Sequence, residues 1–143
     1  AIEKAIEVGG LHLRPSRSMT MRFHGAYDVE TTEADKFSSY GSDAVRLREW
    51  IHERPELGGN IHPRLRYTWA EVLFALREEL AESVEDVLAR RTRALFLDAH
   101  AAIEAAESVA RFIAVERNLD ATWEASSIES FLAIAKHYTL ADQ

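Results

Sequence analysis

Arg90-Arg91-Thr92-Arg93 puts three guanidinium groups into four residues. Such planar, permanently charged forks grip phosphates and carboxylates through paired hydrogen bonds. Nucleic acid is a poor fit for the cluster, because the chain carries a formal net charge of −7 and no aromatic ladder accompanies the arginines. A membrane-surface helix would flank its apolar face with lysine and arginine, whereas the helical segments here carry mostly glutamate. Structural pairing is the favoured reading, with contact to a ligand or a lipid headgroup second. Helical spacing from Val84, Val87 and Leu88 carries Arg91 to the centre of an apolar face, with Arg93 nearly opposite and Arg90 between them. An inward guanidinium requires a carboxylate or carbonyl partner, since an unpaired buried charge is very costly. Asp86 shares its phase with Arg93, so Asp98 or a group from another helix is the expected partner of Arg91.

Other chemistry-bearing residues form no catalytic set. Glu49-x-x-His52 has the spacing of a di-iron helix, but a second such pair and two further glutamates are missing. His100 and Glu104 stand in the reverse order, and Glu78, Glu79, Glu82 and Glu85 read as a solvated face. No cysteine is present, which excludes disulfides, thiolate zinc sites and cysteine nucleophiles. GxSxG, GxGxxG, P-loop and HExxH patterns are absent, and Gly9-Gly10 and Gly58-Gly59 read as turn glycines. The expectation is therefore no catalytic, cofactor-binding or metal-ligating residue. Trp50, Trp69 and Trp123 fall on or beside apolar faces and read as core.

Helices must position these groups. Residues 1–8 read as the last turns of a helix stopped by Gly9-Gly10, the tail of a preceding domain. The chain opens on Ala1 rather than Met, which fits a piece of a longer protein. Residues 9–41 hold four of the six glycines and little periodicity. They read as a long irregular connector with a weak extended run over Leu11, Leu13, Met19, Met21 and Phe23. From 42 to 143 the period is helical. Ser42 is the expected N-cap of a first helix with Ala44, Val45, Leu47, Trp50 and Ile51 inward, ended by Pro55 and Gly58-Gly59. Thr68 with Glu71 reads as a capping box, with Tyr67 and Val72 at the hydrophobic-staple positions and Val72, Leu73, Leu76 and Leu80 inward. Ser83 with Asp86 reads as a fresh start after a break near Glu82; one unbroken helix is the alternative. Asp98 caps the next helix, which buries Ala102, Ile103, Ala106, Val109, Ala110 and Ile113 and ends near Asn118. The last follows Asp120, with Trp123, Ile128, Phe131, Leu132, Ala135 and Tyr138 inward. The expected class is all-α, a compact array of about five helices behind a long irregular connector.

The chain has 143 residues, enough for one domain with a real core. It has no apolar run near the roughly 18 residues of a membrane span, and its start is neither a signal nor a transit peptide. A cytosolic setting is the default expectation.

Several linked motifs then point one way. Tyr67-Thr68-Trp69-Ala70-Glu71-Val72, Arg77-Glu78-Glu79, Glu85 through Arg93 and Phe96-Leu97-Asp98-Ala99 follow one another in order. Tyr40-Gly41-Ser42-Asp43 and His24-Gly25 join them. From about Leu11 onward the chain resembles the C-terminal helical domain of FAD-dependent glycerol-3-phosphate dehydrogenases and the related glycerophosphate oxidases. The resemblance implies a parent that oxidises glycerol 3-phosphate to dihydroxyacetone phosphate, passing electrons through FAD to a quinone, or to oxygen in the oxidases. FAD and substrate belong to an N-terminal α/β part, so no catalytic residue of the family is carried onto this chain. Arg90, Arg91, Arg93, Asp98, Thr68, Glu71, Ser83 and Asp86 are then structural or docking residues. The implied partners are that N-terminal part, a second copy of the chain and, in the parent, the inner face of a membrane. A free-standing helical interaction module is the competing class.

Overall fold

Helix starts are set by side chains that take up the first free backbone N–H groups. Thr68, Asp98 and Asp120 use this device at the starts of three helices. The computed structural model describes residues 2–12, 16–23, 25–26 and 36–139. Leu13 and His24, named above, lie outside them. The chain divides into two units, Ala1–Ala44 and Val45–Gln143.

In the first unit, α1 (Ile2–Val8) ends at Gly9-Gly10. The Leu11 N–H donates to the Ile6 carbonyl across a left-handed Gly10. In place of the extended run, a turn at 18–20 is closed by Thr20 and Met21 N–H groups donating to the Arg17 carbonyl. Val8, Leu11, Met19, Met21 and Phe23 are exposed. A 3-10 turn, Ser38–Asp43, precedes the next helix. Ser42 is therefore no N-cap; its N–H donates to the Gly25 carbonyl. Gly41 has φ +57° and lies so close to Gly25 that a Cβ would run into that carbonyl. Both facts require glycine there.

The helix α2 (Ala44–Glu53) buries Leu47 and sets Trp50 against Phe74. Val45, expected inward, is exposed. A 3-10 turn at Pro55–Gly58 buries Leu57. The loop to α3 (Trp69–Glu78) is closed by an isolated antiparallel bridge between Asn60 and Thr68, and it buries Ile61 and Leu65. Ala70 through Leu76 are all buried, which makes α3 the central rod of the core. The chain breaks after Glu78. Leu80, expected on the inner face, instead takes a left-handed φ of +58° and is 82% exposed. The restart at Ser83 leads into a π-turn, Asp86–Arg91, then α4 (Ala94–Leu97).

The longest helix, α5 (Ala99–Arg117), is capped by Asp98, whose carboxylate accepts from the Ala101 N–H. It ends at left-handed Asn118, with the Leu119 N–H donating to the Ala114 carbonyl, the glycine-type stop that Asn also tolerates. Its inner face is mostly alanine, with Val109 and Ile113, and small side chains let a neighbouring helix approach closely. That neighbour is α6 (Ala121–Ala135), capped by Asp120 and continued by a 3-10 turn, Lys136–Tyr138. Phe131 and Ala135 of α6 are buried, whereas Leu132 and Tyr138, expected inward, are exposed. The architecture is all-α, an irregular N-terminal stretch followed by a helical array.

Candidate functional site

The charged residues gather around the carboxyl end of α3 and the amino end of α5. A helix ends with carbonyls that have no intrahelical partner, and two arginines take them at α3. Arg117 donates to the carbonyls of Leu76 and Ala81, at 3.1 and 2.7 Å. Arg91 donates to the Glu79 carbonyl at 2.6 Å and lies 3.7 Å from its carboxylate. Cations there also answer the negative end of the helix dipole.

Arg91 is thus not buried at the centre of an apolar face, and Asp98 is not its partner. The reason is the π-turn. Its i→i+5 hydrogen bonds widen the helix, seen where the Thr92 N–H and hydroxyl both donate to the Val87 carbonyl. The extra residue per turn shifts every later side chain. Val84, Val87, Leu88 and Leu95 are still inward, but Thr92 takes the buried place expected for Arg91. Arg90 is exposed and binds Glu85 and Asp86, at 2.6 and 2.7 Å. Asp86 therefore pairs with Arg90 and not with Arg93. Arg93 takes a left-handed φ of +58° and lies over the Phe96 ring, 5.9 Å from its centre.

Thr68 and Glu71 make reciprocal bonds. The Thr68 N–H and hydroxyl donate to the Glu71 carboxylate, and the Glu71 N–H donates to the Thr68 hydroxyl. Ser83 and Asp86 repeat the arrangement, and Asp86 also accepts from the Glu82 N–H. Burial works against ionising Asp86, but the Ser83 hydroxyl, the two backbone N–H groups and Arg90 outweigh it and hold its carboxyl below the ordinary range. The Ala101 N–H and the charge of Arg64 likewise hold Asp98 down.

Sequence reasoning missed four groups. Glu116 accepts from Arg54 and Arg77, at 2.6 and 3.0 Å, tying α5 to α3 and to the end of α2. Arg64 bridges Asp98 and Glu104, and His62 lies 2.9 Å from Glu104. These partners are tens of residues apart, so no local spacing marks them. Arg117 alone carried a signal, as a cation in a last helical turn.

The chemistry of this arrangement is pairing. Arg64, Arg90, Arg91, Arg93, Arg117, Asp86, Asp98 and Glu116 are each held by another side chain, a backbone group or an aromatic ring. Among the described residues no three His, Asp or Glu side chains converge as a metal ion would need. Glu49 and His52 stand on α2 without further ligands among the described residues.

The family model for the C-terminal domain of alpha-glycerophosphate oxidase matches residues 3–124. The chain is 35% identical over 114 residues to the mitochondrial glycerol-3-phosphate dehydrogenase SDP6 of Arabidopsis thaliana, covering 77% of this chain and 17% of that protein. A probable mitochondrial glycerol-3-phosphate dehydrogenase of Caenorhabditis elegans is 32% identical over 108 residues, 72% of this chain and 15% of the relative. A glycerol-3-phosphate dehydrogenase of a Synechocystis strain is 39% identical over 56 residues, 39% of this chain and 10% of the relative. The chain spans less than a fifth of the length of these relatives. No solved structure matches it significantly. A helical array whose charges serve its own packing, matched over most of its length by one family model, belongs to the family of C-terminal domains of alpha-glycerophosphate oxidase.

Proposed function

We propose that this domain is the accessory C-terminal part of a FAD-dependent glycerol-3-phosphate dehydrogenase and is itself non-catalytic. The parent oxidises glycerol 3-phosphate to dihydroxyacetone phosphate and passes the electrons to a quinone. FAD and substrate reside in the preceding part of the same polypeptide, and this domain braces that part. The family match over residues 3–124 carries the reading. Val8, Leu11, Met19, Met21 and Phe23 supply an apolar surface for the preceding part to cover. Arg90, Arg91, Arg93, Asp98, Thr68, Glu71, Ser83 and Asp86 act by holding the helical array in the shape that docks.

The partners are the N-terminal part, a second copy of the chain, and a membrane surface met peripherally from the cytoplasmic side. Among the described residues no helix is long and apolar enough to cross a membrane.

The coding sequence upstream of Ala1 is the direct test. A reading frame several times the length of this chain, opening with a strand–GxGxxG–helix unit, is expected. A frame without it overturns the assignment. At the protein level, the intact polypeptide should purify with flavin and reduce a dye with glycerol 3-phosphate. Residues 1–143 alone should do neither, and flavin retained by them contradicts the non-catalytic reading.

A further inference from the structure

Left-handed backbone is strained for most residues that carry a Cβ, and helices that end in it use glycine or asparagine there. The stop of α5 at Asn118 follows that rule. The end of α3 breaks it. Leu80 takes a φ of +58° and leaves 82% of its surface exposed. A lone exposed leucine is ordinary. An exposed leucine held against its backbone preference is not, since glycine would remove the strain and the apolar exposure together.

The turn around Leu80 is fixed from both sides. On one side, Arg91 donates to the Glu79 carbonyl at 2.6 Å. On the other, Ala81 is fully buried and its N–H donates to the Ala75 carbonyl at 2.9 Å. The Ala81 carbonyl in turn accepts from Arg117 at 2.7 Å. Leu80 therefore projects from a braced turn whose neighbouring residues are tied down. A knob presented on backbone that is already held loses less freedom on docking.

The flanking charges select the occupant. Glu78 pairs with Arg46, and Glu79 lies against Arg91. Glu82 is exposed, and its carboxylate has no partner among the described residues. An apolar socket with a cation at its rim satisfies both Leu80 and Glu82. An anionic lipid surface is repelled by that carboxylate, and a second copy meeting this turn across a two-fold axis sets acid against acid. One leucine is also too small a contact for a free protein, which needs an interface on the order of 1,000 Å². It is enough for a tethered one, whose effective concentration is set by the linker. The chain spans less than a fifth of the length of its relatives, so in a polypeptide of that length most of the surface within reach is tethered.

We infer that Leu80 is a preset anchor by which this domain docks on the preceding, flavin-bearing part of its polypeptide, seated in an apolar socket with a cation at its rim. The inference rests on the reading above that such a part precedes the domain. It adds a contact on the helical array to the apolar residues of the first unit.

Hydroxyl-radical footprinting of the full-length polypeptide reads the contact directly. Native Leu80 should be labelled roughly tenfold less than in the unfolded polypeptide, at high and at low protein concentration. Labelling near the unfolded level overturns the anchor. Protection that disappears on dilution gives the turn to a second copy and overturns it too. Leu80→Gly keeps the turn and deletes only the side chain. Proteolytic separation of the domain from the preceding part, which follows the undocked population, should be roughly tenfold faster in this variant. Leu80→Met should change it little. Glu82→Lys sets a cation against the rim and should accelerate it several-fold. A wild-type rate for Leu80→Gly overturns the anchor, and one for Glu82→Lys overturns the cationic rim. Full labelling of Leu80 in a polypeptide that retains flavin sinks the anchor and leaves the reading above intact. A polypeptide without flavin sinks that reading, and the anchor with it.

Discussion

Thr68 with Glu71 and Ser83 with Asp86 are the same device used twice, yet they launch different structures. In both pairs a hydroxyl accepts from the N–H three residues on, and a carboxylate accepts in return. The first opens a regular α-helix whose residues 70–76 are all buried. The second opens a segment that widens at once into the π-turn Asp86–Arg91. A cap satisfies the first free N–H groups and so determines where a helix starts. It does not determine the pitch, which follows from what the later residues must reach. At Asp86–Arg91 the buried Thr92 hydroxyl and N–H both reach back to Val87, and Arg91 reaches the Glu79 carbonyl. The first box is also buried, whereas Asp86 and its partner Arg90 are part-exposed and exposed.

The largest effect should come from the buried box. Glu71→Ala leaves the Thr68 N–H and hydroxyl without their acceptor in a buried place, and should cost about 2–3 kcal/mol. Thr68→Ala should cost about 1 kcal/mol. Denaturant midpoints that barely move for either would erase the contrast between the two starts.

Next comes the pitch itself. Thr92→Val keeps the shape and removes a hydroxyl that donates to Val87 and accepts from the Ala94 N–H. It should cost about 1–2 kcal/mol. The same loss as for the exposed Thr122→Val would mean the π-turn does not depend on that hydroxyl.

Acid sharpens the comparison at the second box. The carboxyl of Asp86 is held below its ordinary value in the folded chain. Its contribution is therefore present above the unfolded value of about 3.9 and is lost as pH falls through the lower folded value. A pH series from 6 to 2 should show a drop in the wild type, only below about pH 4, that is reduced in Asp86→Asn. Identical curves would detach Asp86 from the stability of the start.

The smallest effects concern the arginines. Arg91→Ala and Arg93→Ala should each cost well under about 1 kcal/mol, because both side chains are exposed. Arg117→Ala should exceed both, since it leaves the Leu76 carbonyl in the last turn of α3 and the Ala81 carbonyl in the break after it without their donor. A much larger loss for Arg91 than for Arg117 would show that the register drawn here for the π-turn is wrong.

By itself the sequence determined most helix ends, though not the start of α2, where Ser42 lies inside a 3-10 turn. Thr68, Ser83, Asp98 and Asp120 were legible as caps, and Asn118 as a stop, because each acts on backbone groups within three to five residues of itself. The all-α class and the inward face of α5 followed from the same short-range periodicity. Only the tertiary structure decided the phase beyond residue 86, because one widened turn rotates everything after it and exchanges Arg91 for Thr92 in the core. It also decided which charges meet. Arg117 on the end of α3, Glu116 between Arg54 and Arg77, and Arg64 between Asp98 and Glu104 join residues about 34 to 62 positions apart. Leu80 and Leu132 fit an apolar stripe in sequence but stand exposed, Leu80 because the helix ends before it and the chain turns left-handed there, Leu132 because a stripe says which residues share a face and not whether another element covers it.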